Sequence, residues 1–416
     1  MWSAQLSALI IQKYGGTSVA DVEKIQSVAK HIRATKAKGC SLVVVISAMG
    51  HQTDQLLNLA HSVSAHPNPR EVDMLLTAGE RISMSLLSMA LLDLGVPCRS
   101  LTGSQSGIIT DEVHGHARIE KILGDRIRQG LNQGEVVIVA GFQGVCARTK
   151  EITTLGRGGS DLTAIALSKA LDASLCEIYK DVDGVYSADP KFVSGAVKVG
   201  RLSWRQMSDL CWSGSEVLHA RCLHVAETFQ IPILIRSSFE FEKAGTVISG
   251  EEVMEKFVLK ALTHKSDMAW MRFQVSGNLS SQLVAHISKF LWSRGESALS
   301  TNFEFKANDE GSELRILVSE SQLSALEEYI ENLRTSSLPY EISSWESCSG
   351  LCSITLVGSG FLQSPEISEL VVKTLGDIVC RGMELRSHAL SILVAKADFI
   401  GALARLHTLI TESGSD

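Results

Sequence analysis

Between residues 8 and 238, short apolar runs alternate with stretches whose apolar positions recur at helical spacing. "ALIIQ" (8–12) is followed by Val22, Ile25, Val28 and Ile32 at helical intervals, and then by "SLVVVIS" (41–47). The alternation continues with "EVVIVAG" (135–141), a helical "SDLTAIALSKAL" (160–171), "SLCEIY" (174–179) and "PILIRSS" (232–238). Runs apolar on both faces predict buried strands, and helices between them predict βαβ units and a mostly parallel sheet covered by helices.

The rhythm changes near residue 245. Shorter units follow: "MAWMRFQV", a helical "SSQLVAHISKFLWSRG", "ELRILVS" and a helical "SQLSALEEYIENLRTS". A similar order then runs through "CSITLVG", "SPEISELVVKTLGD", "ALSILVAK" and "DFIGALARLHTLITE". The pattern predicts two diverged copies of a small βαββαβ-like unit, neither large enough to bury much alone.

A chain of 416 residues exceeds what one core usually supports, consistent with several domains. Its net charge of −7 leaves no basic footprint for nucleic acid or for an anionic membrane surface. No stretch of 18 apolar residues occurs and the N-terminal segment lacks the features of a secretory signal, so a cytoplasmic protein is expected. Nine scattered cysteines suit reduced thiols; Cys348 and Cys352 are spaced C-x-x-x-C, but no second pair completes a zinc site.

Three polar segments interrupt the apolar pattern at strand ends. "KYGGTSVAD" (13–21) sets Lys13 before Gly15 and Gly16 and the hydroxyls of Thr17 and Ser18, which could cap a helix. At the carboxyl end of a parallel strand this suits a phosphate, although a tight turn with a solvated lysine fits the residues too. Neither common phosphate fingerprint, G-x-x-x-x-G-K-[ST] or G-x-G-x-x-G, occurs here. "TTLGRGGSDLTAIAL" (153–167) repeats the arrangement, with Arg157 and Asp161 flanking Gly158, Gly159 and Ser160. Its guanidinium suits a carboxylate, or a structural pairing with Asp161. "EIYKDVDGVYSADPK" (177–191) follows a strand and ends in a turn, either a nucleotide-holding loop or an ordinary one.

Together, "KYGGTSV", "VVISAMGHQTDQLL", "LLTAGERIS", "GFQG", "TTLGRGGSDLTA" and "YKDVDGVYSADPK" resemble the signature segments of aspartate kinases, in order and at compatible spacing. The resemblance implies an α/β amino-acid-kinase domain, a mostly parallel sheet sandwiched by helices, followed by two ACT-like α+β modules. It places the catalytic domain at 1–245, a linker at 246–262 and the modules at 263–345 and 346–416, with interleaving by late strands that return to the first module. The implied reaction moves the γ-phosphoryl of MgATP to the β-carboxylate of L-aspartate, the first step toward lysine, threonine and methionine. Alternatives within the same fold are a kinase acting on another acid such as glutamate, or a catalytically silent sensor of amino acid and ATP.

A carboxylate nucleophile is already ionised at neutral pH, so charge neutralisation and positioning should dominate catalysis. Lys13 is accordingly assigned to the transferring phosphoryl group, beside the amides of Gly15 and Gly16. By resemblance, Arg157, with Gly158 and Ser160, holds the substrate α-carboxylate, Glu80 its ammonium and Thr53 its side chain, while Asp161 orients Lys13. Ser47 and Ser160 fall near the phosphates; Tyr179, Lys180, Asp181, Tyr186, Asp189 and Lys191 fall on nucleotide-contact positions. Mg²⁺ is expected to ride on phosphates and water, with no protein ligand.

Two departures from the family stand out. Lys180 replaces a small hydroxyl residue and could contact phosphate or point to solvent. In the modules, "SGNLSSQL", "SALSTNFEF" and "GSGFLQSPEISEL" replace the usual effector-loop patterns, which puts lysine or threonine inhibition in doubt and leaves assembly of a homodimer or higher oligomer as the modules' expected role. Histidines 51, 114 and 116 read as surface or packing residues.

Overall fold

A computed structural model describes residues 8–250, 257–275, 280–294, 303–308, 311–335, 342–364 and 366–413. The chain forms two compact units, neither continuous in sequence. The first contains Met1–Val185, Lys198–Ser208 and Glu216–Val253; the second contains Tyr186–Val197, Asp209–Ser215 and Met254–Asp416.

In the first unit an eight-stranded sheet runs in the order Arg201–Ser203, Thr246–Ser249, Ile233–Ser237, Leu175–Lys180, Leu9–Tyr14, Ser41–Ile46, Val136–Ala140, Cys98–Leu101. Its central strands are parallel, and Thr246–Ser249 turns antiparallel against Ile233–Ser237. The expected linker therefore begins with a sheet strand. Leu42, Val43, Val44, Val45 and Ile46 are all buried, as are all five residues of Val136–Ala140, because helices cover both faces. Leu9–Tyr14 lies between Ser41–Ile46 and Leu175–Lys180, with Lys13 in register with Val45 on one side and Ile178 on the other. The carboxyl ends of these strands thus finish side by side, where ligands of open α/β sheets bind.

Helix Pro69–Asp93 starts with proline at its first turn, and Asn68 accepts a hydrogen bond from the Arg70 amide (2.9 Å). It is long and apolar enough to cross a membrane by composition. Instead it lays Leu76, Met84, Leu87 and Leu91 into this unit's core and carries Asp73 and Glu80 on its buried face. Helix Val22–Ala37 is capped by Asp21, which accepts from the Lys24 amide (2.8 Å). Thr17 and Ser18 lie earlier, in a short 3₁₀ turn, so they do not cap it.

The second unit is built on one six-stranded antiparallel sheet, in the order Phe303–Asn308, Gly311–Ser319, Val258–Val275, Ile342–Ser359, Ala389–Ala395, Gly382–Leu385. Two long central strands serve both modules. Residues 268–275 pair with Gly311–Ser319 in the first module, whereas residues 258–265 pair with the half of Ile342–Ser359 that belongs to the second. A register shift between Lys265 and Met268, beside Asp267 at φ +56°, marks the change of module. The interleaving is therefore the reverse of the expectation: an early strand completes the second module. Leu259 and Leu262 accordingly pack with Leu356, Phe361, Val371 and Leu403 rather than with Met271, Leu283 and Leu314.

Cys352 is buried in the second module's core, Cys348 opposes Trp270 in the sheet, and both are free thiols. Of the expected effector loops, most of "SGNLSSQL" and "SALSTNFEF" lies outside the described residues.

Leu262→Ala should cost about 2–5 kcal/mol by leaving a cavity. Hydrogen exchange should quicken in Ala389–Ala395 and Phe399–Ser413 more than in Gly311–Arg334; the opposite order would contradict the shared strand.

Candidate active site

The centre of the first unit's carboxyl edge is a charge cluster drawn from three elements. Lys13 ends the strand Leu9–Tyr14, Lys180 ends Leu175–Lys180, and Asp161 lies in the first turn of helix Gly159–Ala170. Lys13 Nζ lies 2.5 Å from Asp161 Oδ1, and Lys180 Nζ donates to Asp161 Oδ2 at 3.0 Å. All three side chains are largely buried. An acid in the first turn is also favoured by the helix dipole.

Burial alone would neutralise these groups, and the pairing opposes it. Desolvation pushes the Asp161 carboxyl up, but Lys13 and Lys180 together hold it far below the usual carboxylate range. Lys13 is lowered, by burial first and by its neighbour Lys180, against the pull of Asp161. Lys180 is raised: burial lowers it, but Asp161 more than offsets that.

Two glycines let the backbones close around this cluster. A side chain at Gly16 would meet the carbonyl oxygens of Ala48 and Gly50, each 2.9 Å from the Cβ position, so the loops after two neighbouring strands pack backbone to backbone. Gly158, at φ +71°, turns the chain into helix Gly159–Ala170, where a Cβ would strike His219. Arg157, just before it, is exposed and makes no ion pair among the described residues. That leaves its guanidinium available and gives no support to a structural pairing with Asp161.

The loop bearing Arg157 is pinned from beneath by residues that carry no motif. Arg221 donates to the carbonyls of Leu155 and Ala117 (2.7 Å each), and the fully buried Asp73 accepts from Thr154 Oγ1 (2.5 Å), the Gly115 amide and His114 Nδ1 (2.7 Å). His114 is thus one half of a buried acid–imidazole pair. One signal was readable: Asp73, Thr77 and Glu80 recur at helical spacing on an otherwise apolar face. Nothing in the sequence points to Arg221.

Glu80 is the second focus. Its Oε1 accepts from the Ala48 amide (3.2 Å), while Oε2 is buried with no hydrogen-bond partner among the described residues. Burial raises its pKa to about 7. Gln52 Oε1 is likewise buried without a partner. Buried acceptors left unpaired are costly, and a bound cationic group would satisfy them. Thr53 follows Gln52 at the start of helix Gln52–Val63, half-buried. The Ser47 carbonyl accepts from Ser83 Oγ (2.7 Å), and Ser160 is buried.

The expected nucleotide residues divide. The Tyr179 ring is fully buried, stacked on Tyr14 at 4.7 Å, with its hydroxyl donating to Glu177 (3.0 Å) and lying 2.9 Å from His31 Nε2. Its side chain is thus engaged in the core, which leaves its backbone as the part that could meet a nucleotide. Lys180 points to Asp161 rather than to solvent, and Asp181 is exposed. Tyr186, Asp189 and Lys191 lie in the second unit, where Asp189 accepts from the Lys191 amide (2.9 Å) and closes the turn. Ala188 and Val193 anchor that segment in the second module's core.

Residues 8–237 match the model of the amino acid kinase family. The chain is 39% identical to an aspartokinase of Geobacillus stearothermophilus over 96% of each chain. The chain belongs to the amino acid kinase family, in its aspartokinase branch. It is also 50% identical to an aspartokinase of Mycolicibacterium smegmatis, over 62% of each chain. Its fold matches E. coli aspartokinase III solved with aspartate and ADP, with a TM-score of 0.76 at 22% identity over 97% of this chain and 100% of that one.

Glu80 gives a stability test whose sign follows from its raised pKa. The folded state holds a proton there between the ordinary value near 4.5 and about 7, so stability falls as pH rises through that window. Glu80→Gln should therefore be more stable than wild type at pH 8, by on the order of 2 kcal/mol, and close to it at pH 4.5. Urea unfolding at the two pH values measures the difference; an equal effect at both would contradict the buried, unpaired carboxylate.

Proposed function

We propose that this chain transfers the γ-phosphoryl group of ATP to the β-carboxylate of L-aspartate, giving 4-phospho-L-aspartate in the cytoplasm. The observation that carries the reading is the buried Lys13–Asp161 pair at the joined ends of parallel strands, between two glycine loops. The aspartokinase relatives, and the complex of the E. coli neighbour with aspartate and ADP, support it.

Each residue's part follows from charge. The attacking carboxylate needs no base, so the work is to bring two anions into line. Lys13 meets the transferring phosphoryl oxygens, with the amides of Gly15 and Gly16 beside it, and Asp161 orients Lys13. Arg157, with Gly158 and Ser160, holds the α-carboxylate; Glu80 holds the ammonium, Thr53 supports the side chain and Ser47 lies near the phosphates. The exposed Asp181 is assigned to the nucleotide. Mg²⁺ supplies further neutralisation of the phosphates. Mg²⁺ carried on the nucleotide phosphates would supply that neutralisation, while Asp161 stays paired with its two ammonium groups.

The paired modules are assigned to homodimer assembly. E. coli aspartokinase III has been solved with lysine and aspartate in a T-state, and a lysine effect on this chain is testable despite its altered loops.

Coupled ADP release with L-aspartate, L-glutamate and carbamate tests the substrate; selective use of glutamate, or no turnover with any of them, would overturn the reading. Lysine, threonine and methionine in the same assay test regulation. Arg157→Ala should raise the aspartate KM at least about tenfold and spare ATP affinity. Lys13→Ala should lower kcat by roughly 10²-fold. The kcat/KM for aspartate should fall on the acid side of about pH 7, where Glu80 of the free enzyme takes up its proton.

A further inference from the structure

Lys180 is the charged residue of the cluster that the proposed reaction does not use. Its ammonium sits on one oxygen of Asp161 while Lys13 sits on the other, so one carboxylate serves two cations and an excess positive charge remains. The backbone behind it is fixed: the Lys180 carbonyl accepts from both the amide (2.8 Å) and the hydroxyl (2.9 Å) of Ser238. A lysine tied this way, with its side chain only 20% exposed, is placed rather than free to follow solvent.

We propose that Lys180 is a positioning residue for phosphoryl transfer: by holding Oδ2 of Asp161 it weakens the grip of that carboxylate on Lys13, leaving Lys13 free to turn to the incoming phosphoryl group. The inference rests on the reaction proposed above and deepens it. With Asp161 paired to Lys13 alone, the full negative charge would bind Lys13 in the resting site, and transfer would have to break that pair in a low-dielectric setting where such pairs are strong. With two cations on Asp161, losing Lys13 to the phosphate leaves the acid still paired. The excess positive charge is also what a polyanionic ligand would neutralise.

Several titratable groups face this cluster, among them Cys176 on the strand Leu175–Lys180 and, beside His219, Arg157. Asp161 comes from helix Gly159–Ala170, Cys222 from helix Ala220–Thr228, Asp181 from the residue after the strand, and His219 acts on Asp161 from the start of helix Ala220–Thr228. Lys180 shares Asp161 with Lys13, and its positive charge makes the Lys13 proton easier to lose.

The test compares Lys180→Met, which removes the charge at similar length, with Lys180→Arg, which keeps it. Lysine-selective ¹⁵N NMR of the unliganded full chain follows Lys13 Nζ, assigned by the resonance missing in Lys13→Arg. Lys180→Met should move the Lys13 titration to higher pH, lower kcat about tenfold and leave the aspartate KM within about twofold. Lys180→Arg should restore the titration and most of kcat. An unmoved Lys13 titration in a folded Lys180→Met protein overturns the proposal, as does an unchanged kcat. A loss of activity that Lys180→Arg does not rescue overturns it too, because it assigns Lys180 a packing role. The NMR reading does not depend on turnover, so an inactive wild type would refute the proposed reaction while the link between Lys180 and Lys13 was still decided.

Discussion

The first unit is organised around a single buried carboxylate that answers to two lysines. Asp161 can stay ionised away from water only because Lys13 and Lys180 flank it, and those lysines stay charged only because Asp161 is there. The sheet order makes this possible. Leu9–Tyr14 and Leu175–Lys180 are adjacent and parallel, so their last residues end at one edge, and the helix carrying Asp161 begins at the same level. Distant parts of the sequence meet because the strand register leaves them nowhere else to finish.

Around this centre, two kinds of support differ in what they hold. Backbone contacts fix the loops: Gly16 allows the chain at Ala48–Gly50 to press against it, and Arg221 and Asp73 fasten the segment that carries Arg157. Side chains with unmet demands await a ligand: among the described residues Glu80 Oε2 and Gln52 Oε1 are acceptors without donors, and the exposed Arg157 makes no ion pair. A fixed frame with unsatisfied charge at defined points is the arrangement expected where transfer depends on positioning and electrostatics rather than on proton exchange.

The fold class was legible because alternating apolar runs and helical periodicity reflect burial, which is local in sequence. Lys13, Asp161 and Arg157 were legible for a related reason, since each sits in or beside a glycine-rich interruption of that pattern, whereas Glu80, inside a long apolar helix, was reached only through the family resemblance. Other features depend on distant pairings. Arg221 acts on carbonyls over 60 residues away, and only the folded sheet shows that the Tyr179 ring faces the core while Lys180, next to it, faces Asp161. The period-2 alternation of a strand separates those two neighbours onto opposite faces.

The second unit follows the same logic at a larger scale. A single strand, Val258–Val275, begins in the sheet of the second module and ends in that of the first, and Ile342–Ser359 passes between them in the other direction. Neither module can then complete its sheet or core without chain that the other also uses. Leu259 and Leu262 lie in the second core, while Met271 and Phe273, a few residues on, lie in the first. A perturbation that shifts the long strands in register would move every side chain along them to the wrong face, so the two modules are bound to respond together. The shared strands therefore tie the sheet pairing and the core of each module to chain that the other module also uses.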